Sequence, residues 1–193
     1  MLDKKDLKEM RDEFLQNDDY RELVIKKSRD VLKFSKQIIY AVHRDNIKEA
    51  DKLVEAMNIS LAELQKLVSK SKKLEDIGAY RVSVGEYVEA MLYYSYVKDK
   101  KILSHSTLKV ESEQYILGFI DLTGELVRKA VYLAGKGKYE QVVEIRDLVD
   151  EIYGELLTFD FRDNEFRKKF DSVKYDLKKL EDLVLELKLK GKI

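Results

Sequence analysis

The chain has 193 residues, with 37 lysines and arginines balanced by 37 aspartates and glutamates, so no overall positive field indicates nucleic-acid binding. It contains no cysteine, which excludes disulfides, thiolate zinc sites and a cysteine nucleophile. The amino terminus is densely charged, and no apolar run approaches the roughly 20 residues of a membrane span. We therefore expect a soluble, cytoplasmic protein without a membrane partner.

Helical periodicity runs through most of the chain, which has no proline and only eight glycines. Apolar residues recur every three or four positions, as on the buried face of an amphipathic helix. In chain order the stripes are Val24, Val31, Ile38 and Val42; then Ile47, Ala50, Val54, Met57, Leu61, Leu64 and Val68; then Phe166, Phe170, Val173, Leu177, Leu180, Val184 and Leu187. The pattern predicts an all-α bundle of six or seven helices.

Breaks between the predicted helices are expected near residues 43–46, 77–80, 98–108, 135–138 and 159–164. In the fourth break Gly135 or Gly137 suits a helix C-cap, and in the fifth Asp163 or Asn164 suits an N-cap. No internal repeat or Pro/Gly/Ser-rich linker divides the chain, so a single domain over residues 1–193 is predicted.

Two of the predicted helices are unusually apolar, and each keeps a pair of acids. The only charged side chains in residues 82–97 are Glu86 and Glu89, and the only ones in 114–127 are Asp121 and Glu125. At the average charge density of the chain, each window would carry about five or six charges of mixed sign. The spacings of three and four residues place each pair on one helix face. Such pairs need compensating positive charge, supplied either by lysine and arginine or by a bound cation.

Four carboxylates without cysteine or a nearby histidine make a hard, all-oxygen ligand set, which suits Mg²⁺ or Mn²⁺ better than zinc or copper. Such ions activate water and stabilise charge on phosphorus, so the set points toward phosphodiester hydrolysis. The competing interpretation is structural: the acids are ion-paired, with Arg128, one turn after Glu125, as a neutralising partner. Spacing alone leaves both open.

Other chemistries find less support. A di-iron bundle needs Glu-x-x-His motifs, and neither His43 nor His105 has a glutamate three residues before it. No Gly-x-Ser-x-Gly elbow indicates a serine nucleophile. Two cation clusters either contact phosphate or form solvated faces; they are Lys98, Lys100 and Lys101, and Arg167, Lys168 and Lys169.

Several segments together resemble the translin family across nearly the whole chain. They are "VGEYVEA" and "DLTGEL", preceded by "RDVLKFSKQIIYAVHR" and followed by "NEFRKKFDSVKYDLKKLEDLVLEL". The family has two branches: translin, which binds RNA and single-stranded DNA, and translin-associated factor X, the endoribonuclease subunit of their complex. The acids Glu86, Glu89, Asp121 and Glu125 match the catalytic acids of the second branch, whereas "FDSVKYDLKKLEDLV" looks closer to the first.

The resemblance implies a bundle of about seven helices that assembles into a closed, hollow octamer with an RNA-binding interior. It also implies Mg²⁺-dependent cleavage of single-stranded RNA, with Mn²⁺ as an alternative ion, at a site formed by the four acids. A chain with features of both branches would form a homo-oligomer that needs no partner subunit. The alternative is a non-catalytic scaffold of the translin type, which binds single-stranded RNA or DNA.

Overall fold

A computed structural model describes residues 2–193, which form eight helices and no strand. The helices are α1 (Lys4–His43), α2 (Ile47–Val68), α3 (Lys72–Glu75), α4 (Gly78–Asp99), α5 (His105–Leu108), α6 (Ser112–Gly135), α7 (Tyr139–Leu156) and α8 (Asn164–Leu189). Six helices are long, and α3 and α5 have four residues each. The all-α prediction is confirmed, and every expected break separates two helices.

The first of two compact units ends at Tyr87, inside α4. In it α1 and α2 pack against each other along much of their length. The predicted stripes supply the core: Val24, Val31, Ile38, Val42, Ala50, Met57 and Leu64 have no exposed surface. The turn after Val68 and the short α3 that follows it were not predicted; Leu74 of α3 is buried.

The second unit runs from Val88 to Ile193. In it α6, α7 and α8 pack against one another in all three pairings. Its fully buried side chains include Leu122, Leu126, Val142, Val149, Val173 and Leu180. The helix α4 is continuous across the boundary between the units. The prediction of one domain over residues 1–193 stays a prediction.

Local capping chemistry ends the helices where the sequence indicates. Gly137 has φ +74°, and the N–H groups of Gly137 and Lys138 donate to the carbonyls of Ala134 and Leu133 at 3.1 and 3.0 Å. This pair of bonds is the Schellman arrangement that closes a helix with a left-handed residue. At the start of α8 the Asp163 carboxylate accepts from the N–H of Glu165 at 2.6 Å, which confirms the predicted N-cap.

Candidate functional site

The α6 acids lie at the border between the core and the solvent. Asp121 and Glu125 are four residues apart, and their side chains are 33% and 21% exposed. The neighbouring Leu122 and Leu126 are fully buried and hold the adjacent face of this helix segment in the core. Because a carboxylate here is reached by water without being fully solvated, a cation beside it is screened less than at an open surface.

A lysine from α8 contacts the first of these acids. Lys169 Nζ donates to Asp121 Oδ2 at 2.5 Å, and each side chain is 33% exposed. From the sequence alone, Lys169 is only one member of a cation cluster at the start of the last helix. The two residues are 48 positions apart, so no local spacing could have paired them.

The second α6 acid has a partner on its own helix. Arg128 Nη1 lies 3.5 Å from Glu125 Oε2, three residues away. Arg128 therefore lies where a neutralising partner of Glu125 was expected. Arg128 is 60% exposed, so the pair is weak and open to exchange with a ligand.

A buried hydroxyl joins the same two helices farther along α8. Thr123 is fully buried, and its Oγ1 lies 3.0 Å from Asp176 Oδ2 and 2.9 Å from the Ile120 carbonyl, so its single proton is shared. Asp176 also accepts from Lys179 Nζ at 3.1 Å. These contacts tie α8 to the helix that carries Asp121 and Glu125.

The α4 acids are also half-buried. Glu86 and Glu89 are three residues apart, and the adjacent Val88 and Ala90 have no exposed surface. Within residues 2–193, no three His, Asp or Glu side chains are grouped so that they could hold a metal ion as the side chains stand. The convergence of the four acids on one ion therefore stays a prediction.

Lys100, another of the predicted cations, contacts an acid of α7 within the second unit. Lys100 Nζ lies 2.9 Å from Glu144 Oε2 and 4.9 Å from the centre of the Tyr96 ring. Burial opposes the charged form of Lys100, but the hydrogen bond and charge of Glu144, together with the nearby Tyr96 hydroxyl, more than offset this and raise the pKa of the lysine. Lys100 therefore links the end of α4 to α7.

None of the helices in residues 2–193 combines the length and the apolar character that crossing a bilayer requires.

The fold and these contacts define an all-helical protein that presents half-buried carboxylates on two helices, some of them beside cations. The chain belongs to the translin family, whose sequence model matches residues 19–191.

Translin-associated protein X of Rattus norvegicus is 26% identical over 219 aligned positions, which cover 90% of this chain and 74% of the relative. An uncharacterized protein of Methanocaldococcus jannaschii is 28% identical over 145 residues, which are 75% of this chain. The match spans 64% of the length of that relative, which is less than two thirds.

Solved structures share the fold across nearly the whole chain. The crystal structure of apo-NeC3PO has a TM-score of 0.86 at 26% identity and covers 96% of this chain and 97% of its own. The structure of an AfC3PO complex with duplex RNA has a TM-score of 0.81 at 21% identity, and the match covers 95% of this chain and 97% of the AfC3PO chain. At that lower identity the second likeness shows the fold alone.

Proposed function

We propose that this protein binds RNA and cleaves single-stranded RNA as a Mg²⁺-dependent endoribonuclease, with Glu86, Glu89, Asp121 and Glu125 as its acidic residues. The observation that carries the proposal is the placement of all four acids: each is half-buried on an otherwise apolar helix segment. Membership of the translin family and the likeness to a translin-associated protein X support it. So does the shared fold with a protein whose structure holds duplex RNA.

The residues of α6 fit a magnesium ion by their chemistry. Mg²⁺ in proteins is commonly bound through one or two carboxylates, with water and substrate phosphate completing the shell. Asp121 and Glu125 offer carboxylates on one helix face, and both are partly exposed to water. Lys169 would have to release Asp121, and a side chain that is one-third exposed can swing away at low cost. Mn²⁺ has the same preference for oxygen ligands.

The proposed roles rest on the chemistry of the side chains and on their partial exposure to water. Glu86, Glu89, Asp121 and Glu125 would surround the ion directly or through water, and one of these carboxylates that does not coordinate the ion itself would accept the proton of the attacking water. Lys169, once released from Asp121, would neutralise the scissile phosphate or the leaving oxygen. A bound ion would lower the pKa of its water and offset charge that develops on the phosphate.

A nuclease assay on unstructured, end-labelled RNA tests the proposal. We expect cleavage with Mg²⁺ and none with EDTA, and a loss of about a hundredfold or more in Glu86→Gln/Glu89→Gln and in Asp121→Asn. Glu113→Gln and Glu140→Gln, which neutralise exposed acids in the first turns of α6 and α7, serve as matched controls. Undiminished cleavage by the purified acid variants would remove the carboxylates from the mechanism.

A non-catalytic single-stranded RNA- or DNA-binding protein of the translin type is the second candidate. The ion pairs of Asp121 with Lys169 and of Glu125 with Arg128 favour it, because they give two of the acids a structural role. In that case Asp121→Asn would leave RNA affinity unchanged or raise it by lowering repulsion. No RNA would be cut by any form of the protein.

Assembly into a homo-oligomer, an octamer by family resemblance, is part of the proposal. Light scattering of the purified chain at several concentrations measures the mass of the assembly. A monomer at all concentrations would contradict it.

A further inference from the structure

A groove of about 640 Å³ lies between α1 and α2 in the first unit. Its lining includes the apolar side chains of Leu32, Ala41 and Leu53, and the residues around them carry charge. None of the four proposed catalytic acids lines this groove. It is therefore a separate surface from the one to which the proposed function assigns chemistry.

One side of the groove is a regular stripe along α1. The stripe consists of Arg29, Lys33, Lys36, Tyr40 and Arg44, the last of which caps the end of the helix. These residues are spaced by four, three, four and four positions, which keeps them on one face over about 22 Å of helix. All five side chains are exposed and all line the groove.

The charge of the lining is strongly one-sided. Four cations come from α1 and its C-cap, and the one acid in the lining is Glu49 of α2. This contrasts with the chain as a whole, where acidic and basic residues are equal in number. Nearby cations that repel one another on a helix face are unfavourable unless an anion sits beside them. The groove therefore fits a polyanion.

An aromatic ring stands within the stripe. Tyr40 is 57% exposed, whereas large aromatic rings are usually buried. Arg44 donates to the Tyr40 hydroxyl at 2.9 Å, and its guanidinium lies 5.4 Å from the ring centre. The arginine thus holds the ring in place along the row of cations.

We propose that this groove binds a single-stranded stretch of RNA, with phosphates on Arg29, Lys33 and Lys36 and one unpaired base stacked on Tyr40. The inference rests on the RNA binding of the proposed function and identifies where the strand lies. A cationic track combined with an exposed aromatic ring is how proteins bind single strands without reading sequence. The occupant is single-stranded because the bases of a duplex have no free face for Tyr40.

Binding of a fluorescent, unstructured RNA oligonucleotide in EDTA, over a series of salt concentrations, tests the charges independently of cleavage. We expect Lys33→Gln/Lys36→Gln to weaken binding and to reduce the slope of log K against log salt by about 1.4, since each lost phosphate contact removes about 0.7. The control Lys52→Gln/Lys66→Gln removes the same charge from exposed positions on α2 outside the groove. It should keep the wild-type slope.

Two substitutions of the ring separate stacking from hydrogen bonding. Tyr40→Leu should weaken single-strand binding about five- to hundred-fold, the range measured for loss of one stacked base. Tyr40→Phe keeps the ring and removes the hydroxyl that Arg44 contacts, so its affinity should stay near wild type. Circular dichroism melts of each variant would show that the fold is intact.

The outcomes distinguish this inference from the proposed function. If the groove variants and the control variant lowered RNA affinity equally, or if neither lowered it, the groove would not be the RNA site, although the protein would still bind RNA. A change in oligomer mass in the groove variants without a change in affinity would make the groove a contact between copies of the chain, and would also overturn it. A wild-type protein that binds no RNA would remove both.

Discussion

At the scale of single residues, the contact of Lys169 with Asp121 is the most informative one in the second unit. A partly exposed ion pair of this kind contributes on the order of 1 kcal/mol to the free energy of unfolding. Its importance lies in position, since Lys169 is a cation next to a carboxylate that we propose binds Mg²⁺. Lys169 would therefore compete with Mg²⁺ for the Asp121 carboxylate.

Lys169→Gln should therefore raise the affinity of the protein for Mg²⁺ or Mn²⁺ by several-fold, because Asp121 is freed from its competitor. Isothermal titration calorimetry without RNA measures this directly, and Lys168→Gln, an exposed neighbour, is the matched control. A metal affinity in Lys169→Gln equal to or below that of the control would contradict a metal site at Asp121.

The buried hydroxyl of Thr123 allows a stability prediction. Thr123→Val keeps the shape of the side chain but removes a hydrogen bond to Asp176, whose side chain is only 13% exposed. We expect the free energy of unfolding to fall by about 1–3 kcal/mol in urea titrations. Thr123→Ser, which keeps the hydroxyl, should lose less; a Val variant as stable as wild type would show that the bond carries no net energy.

At the scale of the elements, helix ends are set by a few residues. Gly137 terminates α6 with a positive φ that residues with a Cβ adopt at a cost, whereas Gly135 is the last residue of the helix itself. A Cβ at Gly135 would meet nothing within 4 Å.

These two glycines should respond in opposite directions to the same substitution. Gly137→Ala should lower the free energy of unfolding by about 1 kcal/mol, and Gly135→Ala should raise it by about 0.5 kcal/mol through helix propensity. Thermal unfolding of both variants measures this. A loss of equal size in both would show that the conformation of Gly137 is not the cause.

The element-scale predictions succeeded where a pattern acts inside one helix. The apolar stripe of α1 is buried at every predicted position, and Asp163 caps α8. The short α3 was not predicted because its four residues are too few to show an apolar stripe, and residues 69–73 before Leu74 are all polar.

At the scale of the whole molecule, ionisable groups in both units make folding sensitive to alkaline pH. Burial raises the pKa of the Tyr87, Tyr96 and Tyr115 hydroxyls, and Glu144 and Tyr96 together raise that of Lys100. All four groups therefore hold their protons more tightly in the folded chain than in the unfolded one. Their contribution to stability is complete below about pH 10, the ordinary tyrosine pKa, and is lost as the pH rises above it.

Denaturant titrations between pH 8 and 11.5 should show a free energy of unfolding that is flat at first and then falls. Tyr87→Phe removes one of the groups, so its decline should be shallower than that of the wild type. Tyr175→Phe, at a tyrosine that is 65% exposed, is the control and should decline as the wild type does. Parallel curves for wild type and Tyr87→Phe would contradict the role of the buried hydroxyl.

The sequence by itself determined the helical class, most helix ends and the placement of four acids on two apolar helix segments. These features depend on spacing within one helix, which periodicity and capping chemistry reveal. The positively charged stripe of α1 can also be found from the spacing of Arg29 to Arg44 in the sequence, but the groove beside it cannot. Only the tertiary structure decided that Lys169 contacts Asp121, that Asp176 accepts from Thr123, and that α2 completes a groove beside the stripe. Each of these joins helices through packing, and residues 48 or 53 positions apart leave no local signal of their contact.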